Sequence, residues 1–204
     1  MIPRRHLVAA TIAVLLGVLV LAVIIANLSP RPTVIPEGIN PVVVPTPTVA
    51  PLPTGVAAPV EDATLLSILP SSIAGVPVAT EPGAFARALG DSTFVASVAA
   101  AAFGTAYQGT DLGSGMVARL RPDVYSDAFF RAWRDSYDAG ACTGSGGIAG
   151  NAQAPLGGRT VYITSCNGDL RTYHVWLPER GALISLFSTG SRRFGEQLMS
   201  GLRP

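Results

Sequence analysis

The sequence predicts an α+β fold: a two-layer domain with helices packed on an antiparallel sheet, preceded by one transmembrane helix and a Pro-rich linker. Three observations lead to this prediction. After a short basic end the chain has an uncharged apolar run, a proline-rich stretch follows, and all 14 aromatic residues lie between Phe85 and Phe194. Because aromatic side chains supply much of a core's buried area, we expect the folded part in the second portion of the 204-residue chain.

The apolar run predicts a signal-anchor helix. Residues 1–6 form a basic end with Arg4 and Arg5, and residues 7–28 carry no charge. A helix of that length spans about 33 Å, enough to cross a hydrocarbon core. The basic end should stay in the cytoplasm, which gives a single-pass protein of the cell membrane with its C-terminal domain outside the cytoplasm. A cleaved signal peptide is the alternative, although its apolar region would be only about 7–15 residues long.

The linker covers residues 29–60, which hold nine prolines. Proline fixes φ and removes a hydrogen-bond donor, so the segment favours extended chain over helix or central strand. We expect a spacer that holds the outer domain, residues 62–204, away from the membrane.

The first half of that domain predicts two short helices followed by two strands. The helices are Ala63–Leu69 and Glu81–Leu89, and the strands are Phe94–Phe103 and Met116–Leu120, joined by a Gly-rich loop over residues 108–115. Pro70 ends the first helix and Gly90 caps the second. The alanines of the third element favour helix, whereas its Phe and Val residues favour strand.

The clearest helix is predicted over Asp123–Gly140. Its aromatic residues recur every four positions and form one apolar stripe: Tyr125, Phe129, Trp133 and Tyr137. Its opposite charges are spaced i, i+4, which is typical of a solvated face: Asp127 with Arg131, Arg131 with Asp135, and Arg134 with Asp138.

The second half predicts three strands and a last helix. Arg159–Cys166 and Leu170–Leu177 flank the hairpin signal Asn167-Gly168, and Ala182–Ser188 follows as a third strand. Ser191 is positioned to cap a final helix. That helix places three apolar residues on one face: Phe194, Leu198 and Leu202.

Cys142 and Cys166 predict one disulfide, since two cysteines in an exported domain most simply pair with each other. The bridge would close a loop rich in glycine and stabilise the domain by about 3.5 kcal/mol in the chain-entropy model.

Three residues are candidates for a binding surface: His174, Trp176 and Phe187. A two-residue turn at Asn167-Gly168 would place Val161 opposite His174, and Leu183 would share that side. Both faces of the sheet are then apolar, so this face is either core or an open binding surface. A binding surface would leave His174 partly exposed, whereas a core would enclose it with Thr172 and Ser185.

The sequence contains no motif that predicts a catalytic residue, a metal ligand or a cofactor. Residues 140–144 fit G-x-C-x-G, but that motif needs a strand before it and a helix after it. A net charge of +1 gives no reason to expect nucleic acid as a partner. We therefore expect a binding or sensor-like extracytoplasmic module whose protein or small-molecule partner is unknown. A small Ser/Cys hydrolase and a structural cell-envelope protein are the alternatives.

Overall fold

The computed structural model describes residues 57–203. The predicted cytoplasmic end, the anchor over 7–28 and most of the linker lie outside these residues. Within the part described, no helix is long and apolar enough to cross a membrane. This part is a mixed α+β domain built on an eight-stranded, mostly antiparallel sheet, which confirms the predicted α+β class. The predicted two-layer arrangement is wrong, because both faces of the sheet are covered by packed elements.

Ten strands and four α-helices are present between residues 57 and 203. The strands are β1 (Val60–Glu61), β2 (Ser72–Ile73), β3 (Val76–Pro77), β4 (Ala79–Thr80), β5 (Val98–Gln108), β6 (Asp111–Leu120), β7 (Ile148–Leu156), β8 (Arg159–Cys166), β9 (Arg171–Leu177) and β10 (Ala182–Thr189). The α-helices are α1 (Ala84–Ala88), α2 (Ser92–Ser97), α3 (Asp127–Thr143) and α4 (Phe194–Ser200), and two 3-10 helices cover Ala63–Ile68 and Pro178–Arg180. The main sheet runs β1-β5-β6-β10-β9-β8-β7, with β4 also paired to β5.

The folded part begins earlier than the predicted boundary at residue 62. Pro59 is buried, and β1 pairs in parallel with β5, placing Val60 opposite Ala100. The side chain of Arg121 also donates to the backbone oxygen of Ala57. The last residues of the predicted linker are therefore part of the domain.

The segment from Asp91 to Gly115 differs most from the prediction. The Asp91 carboxylate accepts hydrogen bonds from the backbone nitrogens of Thr93 and Phe94, which starts α2, so the strand begins only at Val98. The predicted loop over 108–115 is mostly β6. Its glycines are there for close packing, because a Cβ on Gly113 would lie 2.9 Å from that of Phe194.

Three helix starts were predicted imprecisely. Helix α3 begins at Asp127 and not at residue 123, because the hydroxyl of Ser126 caps it by accepting from the backbone nitrogen of Phe129. Helix α1 begins at Ala84, three residues after Glu81. The predicted cap at Ser191 is wrong: α4 starts after Arg193, whose φ is 54° and whose side chain makes no capping bond. The three residues predicted for the apolar face of this helix are all buried: Phe194 and Leu198 lie in α4, and Leu202 follows its end.

The β8–β9 hairpin has a three-residue loop, so the predicted two-residue register is wrong by one position. The backbone nitrogen of Cys166 donates to the oxygen of Leu170, and Tyr162 lies opposite His174. Gly168 adopts a φ of 109° inside this loop, a conformation that glycine readily takes. Consequently Tyr162, and not Val161, shares the face of His174.

The β9–β10 register places the other residues of the predicted face on one side of the sheet, as expected. Trp176 lies opposite Leu183, and His174 lies opposite Ser185, so they share one side of the sheet with Phe187. Both sides of the sheet bury a core. One core includes α4 and the first 3-10 helix, and the other lies under α2 and α3.

Candidate functional site

The disulfide is formed as predicted. Cys142 near the end of α3 bonds to Cys166 at the end of β8, with their Cα atoms 5.1 Å apart. Both residues are buried. Because the two sulfurs are bonded to each other, neither is available as a nucleophile.

Helix α3 and strand β8 are joined at three successive levels. The pairs are Arg134 with Tyr162, Asp138 with Thr164, and Cys142 with Cys166. In the first pair the guanidinium carbon lies 5.0 Å from the ring centroid. Four residues of helix and two residues of strand both span about 6–7 Å, so at each level the helix residue lies beside its partner on the strand. The disulfide, a hydrogen bond and a cation–π contact therefore hold the helix in one register over the sheet.

His174 lies beneath α3 at the centre of a buried polar network. Its Nε2 is 2.8 Å from Oδ1 of Asp138, and its Nδ1 is 2.9 Å from Oγ of Ser185. Thr172 also donates a hydrogen bond to Asp138. His174 and Ser185 have 0% exposed surface. This enclosure by hydroxyls is the arrangement expected of a core histidine.

The hydrogen bonds assign a role to each group in the network. Burial raises the pKa of the Asp138 carboxyl, but the hydrogen bonds from His174, Thr164 and Thr172 outweigh burial and hold that pKa below its ordinary value. Trp133 Nε1 donates to Ser185 Oγ over 3.1 Å. The serine hydroxyl can then donate to Nδ1 of a neutral imidazole whose Nε2–H donates to the carboxylate. No buried side-chain nitrogen or oxygen among residues 57–203 is left unpaired.

The order Asp138, His174, Ser185 resembles the order of groups in a catalytic triad. In serine proteases the carboxylate meets Nδ1 and the serine meets Nε2, whereas here the two nitrogens are exchanged. With Ser185 fully enclosed, a substrate has no path to its hydroxyl in this conformation. The network links Asp138 of α3 to residues of β8, β9 and β10.

Asp138 is the central residue that the sequence interpretation missed. It was assigned to the solvated face as a partner of Arg134, but it is 2% exposed, and Arg134 pairs with Asp135 at 2.8 Å. The helical spacing between Asp138 and Cys142 could have identified Asp138 as an inward-facing residue. Cys142 must point inward to reach Cys166, and Asp138 lies one turn before it on the same side.

Trp176 is partly exposed and lines a groove beside α3. Its ring stacks on Tyr125 with centroids 4.2 Å apart and planes 9° from parallel. Two adjoining cavities of about 500 and 380 Å³ form the groove, and both are lined by Arg134, Gln153 and Tyr162. The rest of the lining of this α3 groove consists of Tyr125, Asp127, Phe130, Arg131, Asn151, Ala152, Thr160, Ile163 and Thr164.

Phe187 is partly exposed on the other flank of α3, where it lines a separate cavity of about 320 Å³. We call this space the Phe187 cavity. Its other lining residues come from the segment between β4 and α1, from α1, β5 and β6, and from α3, and they include Glu81, Arg87, Phe103, Ser114, Met116 and Tyr137. The three predicted binding residues therefore separate: Trp176 and Phe187 line different cavities, and His174 is enclosed between them.

Within residues 57–203 no group of three or more His, Cys, Asp or Glu side chains is placed to hold a metal ion. Comparisons with protein-family models, curated proteins and solved structures found no match to this chain. Function has to be inferred from the geometry of the domain itself.

Proposed function

We propose that this protein is a membrane-anchored extracytoplasmic binding module, and that its partner occupies the α3 groove. The observation that carries the proposal is the concave lining of the groove, where aromatic, guanidinium, amide and hydroxyl groups and the carboxylate of Asp127 face one space. Binding sites combine an aromatic wall with a few polar groups in this way. The anchor over residues 7–28 would hold the module at the outer face of the membrane.

The floor of the groove is held in place before any partner arrives. Tyr162 is covered by the Arg134 guanidinium, and Thr164 lies 2.6 Å from a carboxylate oxygen of Asp138 and 2.7 Å from the side-chain amide of Asn151. A preorganised surface loses little conformational entropy on binding. These contacts favour recognition over a purely structural role in the envelope.

Arg131 provides a charge that is available to a partner. It lies on the exposed side of the groove, and within the described residues it makes no ion pair or hydrogen bond. Arg134, by contrast, is held by Asp135. An incoming carboxylate, phosphate or carbonyl oxygen would meet Arg131 without first breaking an existing contact.

Site-specific photo-crosslinking in intact cells tests the proposal. A benzophenone amino acid at Gln153, an exposed wall residue of the groove, should give a discrete adduct. Replacing Arg131 by Ala in the same chain should weaken that adduct without lowering the melting temperature. The matched control places the same group at Gln108, an exposed residue at the end of β5 that does not line the groove. Equal adducts from both positions, or none from either, would contradict a binding role for the groove.

A small serine hydrolase is the second candidate, because Asp138, His174 and Ser185 are already hydrogen-bonded in series. It requires a motion of α3 that opens Ser185 to substrate. A fluorophosphonate probe separates the two functions. The binding module should remain unlabelled, whereas labelling that is lost on Ser185→Ala would establish the hydrolase.

A further inference from the structure

We propose that the Phe187 cavity is a second site, and that it binds a small organic ammonium ion. The cavity combines one fixed carboxylate, Glu81, with the rings of Phe103, Tyr137 and Phe187. A carboxylate and aromatic walls together are the chemistry that recognises an alkylammonium group. Its volume of about 320 Å³ suits a small ligand.

Glu81 is held at the cavity wall from two sides. The buried hydroxyl of Ser114 donates to Oε2, and the Arg87 guanidinium lies 2.6 Å from Oε1. The Glu81 side chain is 28% exposed, whereas that of Arg87 is 65% exposed. The carboxylate is therefore fixed while its cationic partner lies mostly in solvent.

Arg87 marks the position that a ligand cation would take. An ion pair with a partner so exposed contributes little free energy, because solvent screens it and an ordered side chain loses entropy. An ammonium ion inside the cavity would meet the same carboxylate with less solvent between them. Arg87 would then swing into solvent at small cost.

Tyr137 adds a second reason to expect a cation. Tyr137 lines the cavity, and its hydroxyl makes no hydrogen bond within residues 57–203. Burial, followed by the negative charges of Asp138 and Glu81, raises the pKa of Tyr137. The phenol stays neutral, so its oxygen can accept from an ammonium N–H. The negative charges of Asp138 and Glu81, which oppose ionisation of the Tyr137 phenol, also favour binding of a cation.

Methyl NMR on the full chain in non-ionic detergent tests the site. The sequence has three methionines, and Met116 lines the cavity while Met199 is buried in the other core. Titration with n-butylammonium should shift the Met116 methyl signal in a saturable way and leave Met199 unchanged. The neutral analogue n-pentanol should bind about tenfold more weakly, since it lacks the charge contact.

Three variants make the test specific. Glu81→Gln should weaken n-butylammonium binding about tenfold. Arg87→Gln should strengthen it several-fold, because the competitor for the carboxylate is gone. The matched control is Glu196→Gln, whose side chain is 27% exposed and is paired with Arg171 elsewhere on the domain. That variant should bind like the native protein.

Several outcomes would overturn the proposal. One is equal binding of n-pentanol and n-butylammonium, which would make the cavity merely apolar. Another is weaker binding in Arg87→Gln, a variant at an exposed position that should leave the fold intact. The absence of a saturable Met116 shift in the native chain would equally refute the site.

Discussion

At the scale of single residues, Asp138 is the side chain on which the buried hydrogen-bond network depends. It is a buried carboxylate whose stabilising partners are a histidine and two hydroxyls, and no arginine lies within ion-pair distance among the described residues. An ionised group in such a position is costly unless each of its hydrogen bonds is made. The identity of this one side chain should therefore affect stability more than its neighbours on α3.

Replacing Asp138 by Asn should lower the free energy of unfolding by about 2–3 kcal/mol, since an amide nitrogen would face donors in place of an acceptor oxygen. Urea unfolding of a fragment covering residues 57–204 is the measurement. Asp135→Asn is the matched control, on the same helix but with a side chain that is 66% exposed. It should change stability by less than about 0.5 kcal/mol. Similar losses in both variants would mean that the network contributes nothing specific.

Lowering the pH should remove the stabilisation that the Asp138 carboxylate provides. The pKa of Asp138 is lower in the folded protein than in the unfolded chain, so its ionisation stabilises the fold above the unfolded pKa of about 4. That stabilisation is lost as the pH falls through the lower, folded value. The difference in unfolding free energy between the native protein and Asp138→Asn should therefore shrink below about pH 4. A gap that stays constant down to pH 2–3 would show that the carboxylate is not the source.

At the scale of elements, the disulfide is the outermost of the three levels that fix α3 on β8. Its cysteines are 24 positions apart in the sequence and enclose the glycine-rich segment that leads into β7. Without it, the end of α3 would be held only by the weaker contacts at Asp138 and Arg134. Most of its effect should come from restricting the unfolded chain.

Changing Cys142 and Cys166 together to Ser should lower stability by about 3–4 kcal/mol at neutral pH. A reducing agent should produce the same loss in the native protein and no further loss in the double variant, which serves as the control. Thermal unfolding with and without reductant measures both. Reaction of both thiols with a maleimide in the folded, unreduced protein would refute the bridge.

The prediction from the sequence was correct where a sequence pattern fits only one structure. Strand β8 matched its prediction, and the period-four stripe located α3. The prediction from the sequence was wrong where one sequence pattern fits two different structures. Asn167-Gly168 suits a two-residue turn, yet Asp169 joins the loop and shifts the register. The spacing of Arg134 and Asp138 fits a surface ion pair equally well, and only the packed sheet decides that Asp138 faces inward.

At the scale of the whole molecule, the two candidate sites lie on opposite flanks of α3. Trp176 lines the groove on one side, Phe187 lines the cavity on the other, and the network at His174 lies between them. Helix α3 therefore contributes residues to both sites. Both sites depend on the register that the three levels impose.

The remaining prediction concerns how the domain is held in the cell. Protease added to intact cells should release a fragment that contains the domain, because the basic residues Arg4 and Arg5 are expected to keep the other end of the predicted anchor in the cytoplasm. The cut should fall within residues 29–60, and most readily before Ala57. From there onward the chain is bound to the domain through Arg121 and through the pairing of β1 with β5.

N-terminal sequencing of the released fragment measures the position of the cut. A cytoplasmic marker protein that stays intact in the same cells is the control for lysis. If the domain survives in intact cells and is digested only after lysis, the orientation is reversed. If the mature protein already begins after residue 28 and leaves the cell without protease, the apolar run is a cleaved signal peptide. A fragment that starts within the linker and retains the disulfide would place the domain outside the cytoplasm, where the proposed ligands would have to be present.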